Sequence, residues 1–392
     1  MDKIVHVCLC GPVTDGWSYQ DNLLSKYHKE LGYKVSIITS EWIWGEDGNL
    51  KKDSRHFYHN EYDIPVFRLR IKGDRNIEAK FKRYEGLYET LEKEAADILF
   101  IHGCQFLDIW TVRKYVRNHK NIRVFIDNHA DFSNSGTNFL SKFVLHKGIW
   151  KFCTKAIEPY VERFFGVLPA RVDFLIDLYH IPKEKTSLLV MGADDEKAEL
   201  AVTKGLGEKI RERFGIAPKD FLIVTGGKID KAKYQTIYLM QAVQKLSDDT
   251  VKLLIFGSVE EELKEQVKNL TDGKRIQFAG WISAEESYSY FEAADLICFP
   301  GRHSVFWEQA AGQGVPMVVK YWKGTCHIDI GGNVKFLYED SAEEIQGVLE
   351  ETAGHEKEAY KRMKQAAKEK GKQQFSYRDI ARRAIGDETG TV

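Results

Sequence analysis

Leu296-Ile297-Cys298-Phe299-Pro300-Gly301-Arg302-His303-Ser304-Val305-Phe306-Trp307-Glu308-Gln309-Ala310-Ala311-Gly312-Gln313-Gly314-Val315-Pro316-Met317-Val318-Val319-Lys320 sets the class of architecture. The apolar run Leu296–Phe299 reads as a strand and stops at Pro300-Gly301. A helix is expected over Trp307–Gln313, and Gly314-Val315-Pro316 ends it and opens a strand, Pro316–Lys320. Strand, helix and strand in succession form a βα unit, and such units build a parallel sheet with helices on its faces.

The same rhythm runs through both halves. Upstream of this stretch, strands are expected at Phe221–Thr225, Lys252–Phe256 and Arg275–Phe278, with helices at Tyr234–Leu246, Glu260–Asn269 and Ala284–Ala293. In the first half, strands are expected at Ile4–Leu9, Lys34–Thr39, Val66–Arg70, Ile98–His102, Arg123–Asp127, Gly166–Pro169 and Ser187–Met191. Helices are expected at Tyr19–Leu31, Lys80–Glu94 and within Leu140–Phe165. The polar stretch Gly192-Ala193-Asp194-Asp195-Glu196-Lys197 separates the halves. The expectation is α/β: two doubly wound Rossmann-like domains, residues 1–194 and 195–375, facing across a cleft. The charged tail from Glu343 to Ile385 reads as helical. Residues 376–392 are either a solvated helix or one that crosses back to the first domain.

Composition narrows the function classes. With 392 residues and 43% apolar content, each half can bury a core, which excludes disorder and collagen-like repetition. The 57 Lys+Arg against 58 Asp+Glu leave a net charge of −1, so no global field recruits nucleic acid. Ile4-Val5-His6-Val7-Cys8-Leu9-Cys10 has neither the length nor the flanks of a signal peptide, and a cytoplasmic chain is expected. Six scattered cysteines without zinc spacing read as reduced and structural.

Open α/β sheets bind ligands outside the carboxyl ends of their strands, so chemistry belongs in the loops that follow them. Gly11-Pro12-Val13-Thr14-Asp15-Gly16-Trp17-Ser18 lets backbone amides approach a phosphate or sugar, although an ordinary tight turn fits the same letters. Thr225-Gly226-Gly227-Lys228-Ile229-Asp230-Lys231-Ala232-Lys233-Tyr234 places Lys228 and Lys233 where two ammonium groups could meet a diphosphate; a solvated lysine loop is the alternative. Beyond Phe299, the helix aims amides near Val305 at an anion, and Glu308 can accept hydrogen bonds from vicinal hydroxyls or merely complement the helix dipole. His129, just past the strand ending at Asp127, is a candidate acid–base group or a structural histidine.

Together these loops resemble the retaining family-4 glycosyltransferases of the GT-B fold, the glycosyl transferases group 1 type. Asp15-Gly16 with Asn22-Leu23-Leu24 and Leu31-Gly32-Tyr33-Lys34-Val35 resembles the first glycine loop, its helix and the entry to strand two. Met191-Gly192-Ala193-Asp194 is similar to the interdomain "N-G-V-D". Gly227-Lys228-Ile229 with Lys233 resembles "G-R-L" followed by lysine, and Phe278-Ala279-Gly280-Trp281-Ile282 resembles the turn that holds the base. Ala293-Ala294-Asp295-Leu296, then Glu308-Gln309-Ala310 and Gly314-Val315-Pro316, resembles the segment with the second of two motif glutamates. Pro300 stands where the first would be.

The resemblance implies transfer of a sugar from a nucleotide-sugar to a glycan or lipid-linked acceptor, with retention, in polysaccharide or glycoconjugate synthesis. The first domain would serve the acceptor and the second the donor. Lys228 and Lys233 would hold the diphosphate and Glu308 the ribose. Gly16, Gly227, Trp281, Ile282, Ser304, Val305 and Phe306 would line the donor. His303, or Arg302, would replace the missing glutamate. His129 would face the donor sugar, with Asp15 and Asp131 on the acceptor side. If the reaction inverted instead, His129 or Asp131 would be the candidate base. No metal and no other cofactor are expected, since the lysines and the helix end replace a cation. A sugar-nucleotide epimerase of the same fold and a non-catalytic nucleotide-sugar binder remain alternatives.

One stretch bears on location. From Phe132 through Ile157 there is no acidic residue, while Lys142, Lys147, Lys151 and Lys155 interleave with aromatic and aliphatic residues. A basic helix near 139–155 is a candidate peripheral contact with the cytoplasmic membrane face, against the plainer reading of a helix packed on the sheet.

Overall fold

The computed structural model describes residues 2–45, 49–73, 81–131 and 148–387. The chain divides into two compact units, Met1–Val190 with Ile380–Val392, and Met191–Asp379. Each is an α/β, Rossmann-like unit built on a largely parallel sheet.

In the first unit the strands are β1 (Lys3–Cys8), β2 (Lys34–Ser40), β3 (Trp42–Trp44), β4 (Leu50–Lys52), β5 (Phe57–His59), β6 (Pro65–Leu69), β7 (Ile98–His102), β8 (Arg123–Asn128), β9 (Arg163–Gly166) and β10 (Thr186–Leu188). Eight of them form one sheet in the order β10-β9-β8-β7-β1-β2-β6-β5, parallel except for β5, and β3 pairs antiparallel with β4. The strand order reverses between β1 and β7, which places the switch point where Cys8, His102 and Asp127 end their strands. Central strands are covered on both faces, so β1, β7 and β8 are almost wholly buried.

The second unit adds β11 (Phe221–Gly226), β12 (Val251–Phe256), β13 (Ile276–Gly280), β14 (Leu296–Phe299), β15 (Met317–Lys320) and β16 (Val334–Leu337). All six are parallel, ordered β13-β12-β11-β14-β15-β16, with the switch point between β11 and β14. The helix Gln235–Lys245 buries Ile237, Leu239, Met240 and Val243, and the core gathers Phe221, Ile223, Leu253, Ile255 and Met363.

Three expected elements differ. Of the helix expected over Lys80–Glu94, Lys80 lies outside the described residues, the chain leaves the helical course at residues 82–86, and a helix runs from Leu87, after Gly86 in the left-handed region. Tyr84 instead donates its N–H to Asp108 and its hydroxyl to Leu9 (2.7 Å), and these tertiary bonds outweigh local helical preference. The strand expected at Gly166–Pro169 ends at Gly166, and Pro169 opens a helix, where its missing N–H costs nothing. The tail is three helices, Ala342–Thr352, Glu358–Phe375 and Tyr377–Ala384, broken at extended Ala353 and Ser376. The last of them meets the first unit through Ala381, whose carbonyl accepts from His28 Nε2 (2.8 Å).

Much of the basic segment near 139–155 lies outside the described residues. In its described part Trp150 and Cys153 are buried and Phe152 is exposed beside Trp110. No described helix is long and apolar enough to cross a membrane.

Candidate functional site

The loops leaving β11, β12 and β13 are stitched backbone to backbone. Gly227 N–H donates to the Phe256 carbonyl (3.0 Å) and Gly257 N–H to that of Gly280 (2.7 Å). Glycine is required where they touch: a Cβ on Gly257 would stand 1.9 Å from the Gly227 oxygen, and one on Gly226 would stand 2.1 Å from the Phe256 ring. After Gly227 (φ +122°), Asp230 caps a single turn, Lys231–Lys233, by accepting from the amides of Ala232 and Lys233. That turn projects Lys233 across the switch point. Its Nζ lies 3.7 Å from where a Gly227 Cβ would be, and its Cβ and Cγ lie 3.7 Å from where a Gly301 Cβ would be. Lys233 therefore runs beside two glycines, with the base of its side chain at Gly301 and its ammonium over Gly227. Lys228 is more loosely held, 56% exposed and 3.7 Å from Asp230.

Glu308 departs from expectation. It sits, as expected, in the first turn of a helix, Phe306–Gly312, but it is fully buried and not open to the cleft-side loop. Its Oε1 accepts from His303 Nε2 (2.7 Å) and from His327 Nε2 (2.8 Å). Burial alone would raise its pKa, but His303 and His327 reverse this and hold the carboxyl well below the usual range. Its other oxygen, Oε2, is buried with no partner among the described residues, so one acceptor remains for a hydroxyl. The three side chains are also close enough to hold one ion. A ligating imidazole normally donates its other ring N–H, however, and His327 Nδ1 has no partner among the described residues, so a hydrogen-bonded clasp fits better. Nearby, Trp281 is exposed, Ile282 and Ser304 are partly buried beside it in sequence or in the clasp loop, Val305 is exposed, and Phe306 packs edge-on against Phe256.

In the first unit, His129 follows β8 and its Nε2 lies 3.3 Å from Asp127 Oδ2. Asp131 is paired with Arg171 (3.1 Å). Asp15 accepts from Arg55 and Tyr58 (both 3.0 Å), and the Gly16 amide donates to Glu61 (2.7 Å). Asp15 and Gly16 are thus committed within their own loop cluster, while His129 and Asp131 stay near the strand end.

Residues 207–370 match the family described as Glycosyl transferases group 1. The chain is 22% identical over 353 residues to mannosylfructose-phosphate synthase of Agrobacterium fabrum, covering 86% of this chain and 74% of that one. Residues 207–370 thus mark the second unit as a glycosyltransferase domain, and the chain has the GT-B fold. Solved structures share that fold: sucrose-phosphate synthase from Thermosynechococcus elongatus has a TM-score of 0.66 at 14% identity, over 98% of this chain and 97% of its own. HepE from Anabaena in complex with UDP has a TM-score of 0.68 at 14% identity, over 99% and 100%.

Sequence reasoning about this glycosyltransferase missed His327, which lies in an aperiodic segment after β15, and it missed the buried polar residues behind His129. His6 and His102 interrupt otherwise apolar strands, and that interruption was the available signal. Gln20 Nε2 reaches Asp127 (3.1 Å) and Asp21 reaches His102 (2.9 Å), both from the helix Gln20–Glu30.

Proposed function

We propose that the enzyme transfers a hexose from a nucleoside-diphosphate donor, held by the second unit, to a glycan or lipid-linked acceptor with retention of configuration. The observation that carries this reading is Lys233 at the switch point, its stem beside Gly301 and its ammonium over Gly227, where a diphosphate can approach the ammonium along a glycine backbone. As the anomeric C–O bond breaks, its electron pair passes to the β-phosphate. Lys233, with Lys228 at longer reach, stabilises the charge that develops there. The acceptor oxygen bonds to the anomeric carbon from the leaving-group side and its proton passes to the departing diphosphate, so no protein nucleophile is needed. Glu308 Oε2 accepts from a ribose hydroxyl, Trp281 and Ile282 flank the base, and the amides near Val305 and Phe306 meet phosphate or sugar. His303, or Arg302, takes over the role of the first glutamate, whose position Pro300 fills. His129, with Asp131, serves the acceptor side. No metal takes part.

A thermal-shift screen against UDP-, GDP-, ADP- and dTDP-sugars tests this. A ligand at 100 times its dissociation constant adds about 2.7 kcal/mol of stability. One nucleotide class should respond in the parent and not in Lys233→Ala; an equal response in both would overturn the assignment. Turnover of donor without acceptor would instead mark an epimerase.

A further inference from the structure

The first unit contains a continuous line of buried imidazoles. The Ala381 carbonyl meets His28 Nε2 (2.8 Å), His28 Nδ1 meets His6 Nε2 (3.0 Å), and His6 Nδ1 meets His102 Nε2 (3.0 Å). At the far end His102 Nδ1 meets Asp127 Oδ2 and Asp21 Oδ1, both at 2.9 Å. All three histidines are buried.

Hydrogen counting constrains this line. A carbonyl and a carboxylate both accept, so each end of the line must receive a hydrogen, and each of the two ring-to-ring contacts needs one as well. Four contacts therefore require four hydrogens, whereas three neutral imidazoles bring three. The line as a whole carries a single excess proton. Coulomb attraction selects where it rests: His28 faces a neutral carbonyl, and His102 faces two carboxylates.

We propose that this excess proton resides on His102, and that His102 is thereby a positioning residue: as a fixed imidazolium it anchors Asp127, whose Oδ2 lies 3.3 Å from His129 Nε2. The groups that face His102 are Cys8 and His6 from β1, Asp21 from the adjoining helix and Asp127 from β8, with His28 behind His6. Burial opposes a charge on His102, whereas the anionic forms of Cys8, Asp127 and Asp21 favour it, and the net effect raises its pKa well above the ordinary value. Burial pushes the Cys8 thiol up to about 11, so at neutral pH the two carboxylates are the anions present. Burial lowers His28 to about 4, and burial together with the charges of His28 and His102 lowers His6 well below its ordinary value, so both are neutral at pH 7. Asp127 is held well below the usual carboxylate range: burial would raise it, and the imidazoles of His102 and His129 more than compensate. A line of this kind can also pass a proton between neighbours, so the charge at His102 depends on the last helix supplying its terminal acceptor.

The proposal rests on the reading of His129 as an acceptor-side group only for its activity measurement. Long-range ¹H–¹⁵N correlation on the full chain labelled at histidine, from pH 5.5 to 8.5, should show one buried imidazole protonated at both nitrogens throughout. The other two should be neutral with hydrogen on Nε2. Three neutral rings, or an imidazolium that loses its proton near pH 6.5, would overturn the proposal whatever the donor proves to be. In His102→Gln, an amide can still donate to Asp127 but carries no charge. Transfer should fall about tenfold in kcat with donor KM within twofold, and the acidic limb of the pH–rate profile should move to higher pH, because a carboxylate relieved of its cation attracts protons more strongly. An unmoved limb in a folded His102→Gln would show that the charge does no positioning.

Discussion

The two units each join histidines to a buried carboxylate, and they do so in opposite geometries. In the second unit two imidazoles converge on one oxygen of Glu308 and leave the other oxygen unengaged. In the first unit three imidazoles stand in series, and only the last touches Asp127. Convergence gives a rigid acceptor aimed at a ligand atom. A series between two acceptors forces an extra charge into the interior and ties it to a distant helix. The same residue types thus yield a grip in one place and a stored proton in the other.

The sharpest way to break this contrast is at Glu308. Glu308→Ala leaves His303 and His327 without their shared acceptor, and a stability loss of roughly 3–5 kcal/mol is expected from removing one partner of a buried ionic cluster. Glu308→Gln keeps the volume and an acceptor, and its transfer kcat/KM should still fall by about 10² to 10³. Urea denaturation of the first variant and steady-state kinetics of the second check the two parts. Next in size is Lys233→Ala, expected to lower kcat about 10²-fold, because its ammonium lies over the Gly227 backbone at the switch point. Comparable loss in Lys228→Ala would mean that both lysines act together. The exposure of Lys228 and its distant pairing with Asp230 point to a loss of only about tenfold or less there.

Acid separates the centres without mutation. His6 and His28 have folded pKa values below their unfolded ones, so they contribute stability that is present above about pH 6.5 and is lost as pH falls toward about 4. Glu308 and Asp127 are depressed carboxylates, whose contribution persists above the unfolded carboxylate range and is lost only in stronger acid. His102 has the opposite sign: its contribution is complete below about pH 6.5 and is lost only as pH rises through its higher folded value. Denaturation midpoints measured at pH 7, 5.5 and 4.5 should therefore fall between the first and last. His28→Phe should show a shallower fall, and the smallest change is expected in Glu308→Gln, because the Glu308 carboxyl is held well below that window.

What the sequence disclosed follows the same division. Parallel strands covered on both faces are short apolar runs, so Phe221–Gly226, Val251–Phe256 and Leu296–Phe299 stand out and the loops after them can be searched. Lys233 and Glu308 could be singled out as candidates because each sits in the segment that follows a recognisable strand. His327 was not, since it reaches Glu308 from a separate segment with no periodic signal. The line of histidines was hidden for a related reason: His6 and His102 lie 96 positions apart, and only pairing through the β1–β7 register makes them neighbours. The short hairpin of Trp42–Trp44 with Leu50–Lys52 escaped because its strands are three residues each and carry little alternation.

The bond between His28 and Ala381 spans 353 positions of chain, with the whole second unit encoded between them. A ribosome therefore releases the second unit's residues before it makes the segment that closes the first, and early strands must wait through most of translation for their last partner. Over that interval the nascent first unit has an imidazole facing an empty place, so the amino-terminal lobe, although synthesised first, is the last to be finished.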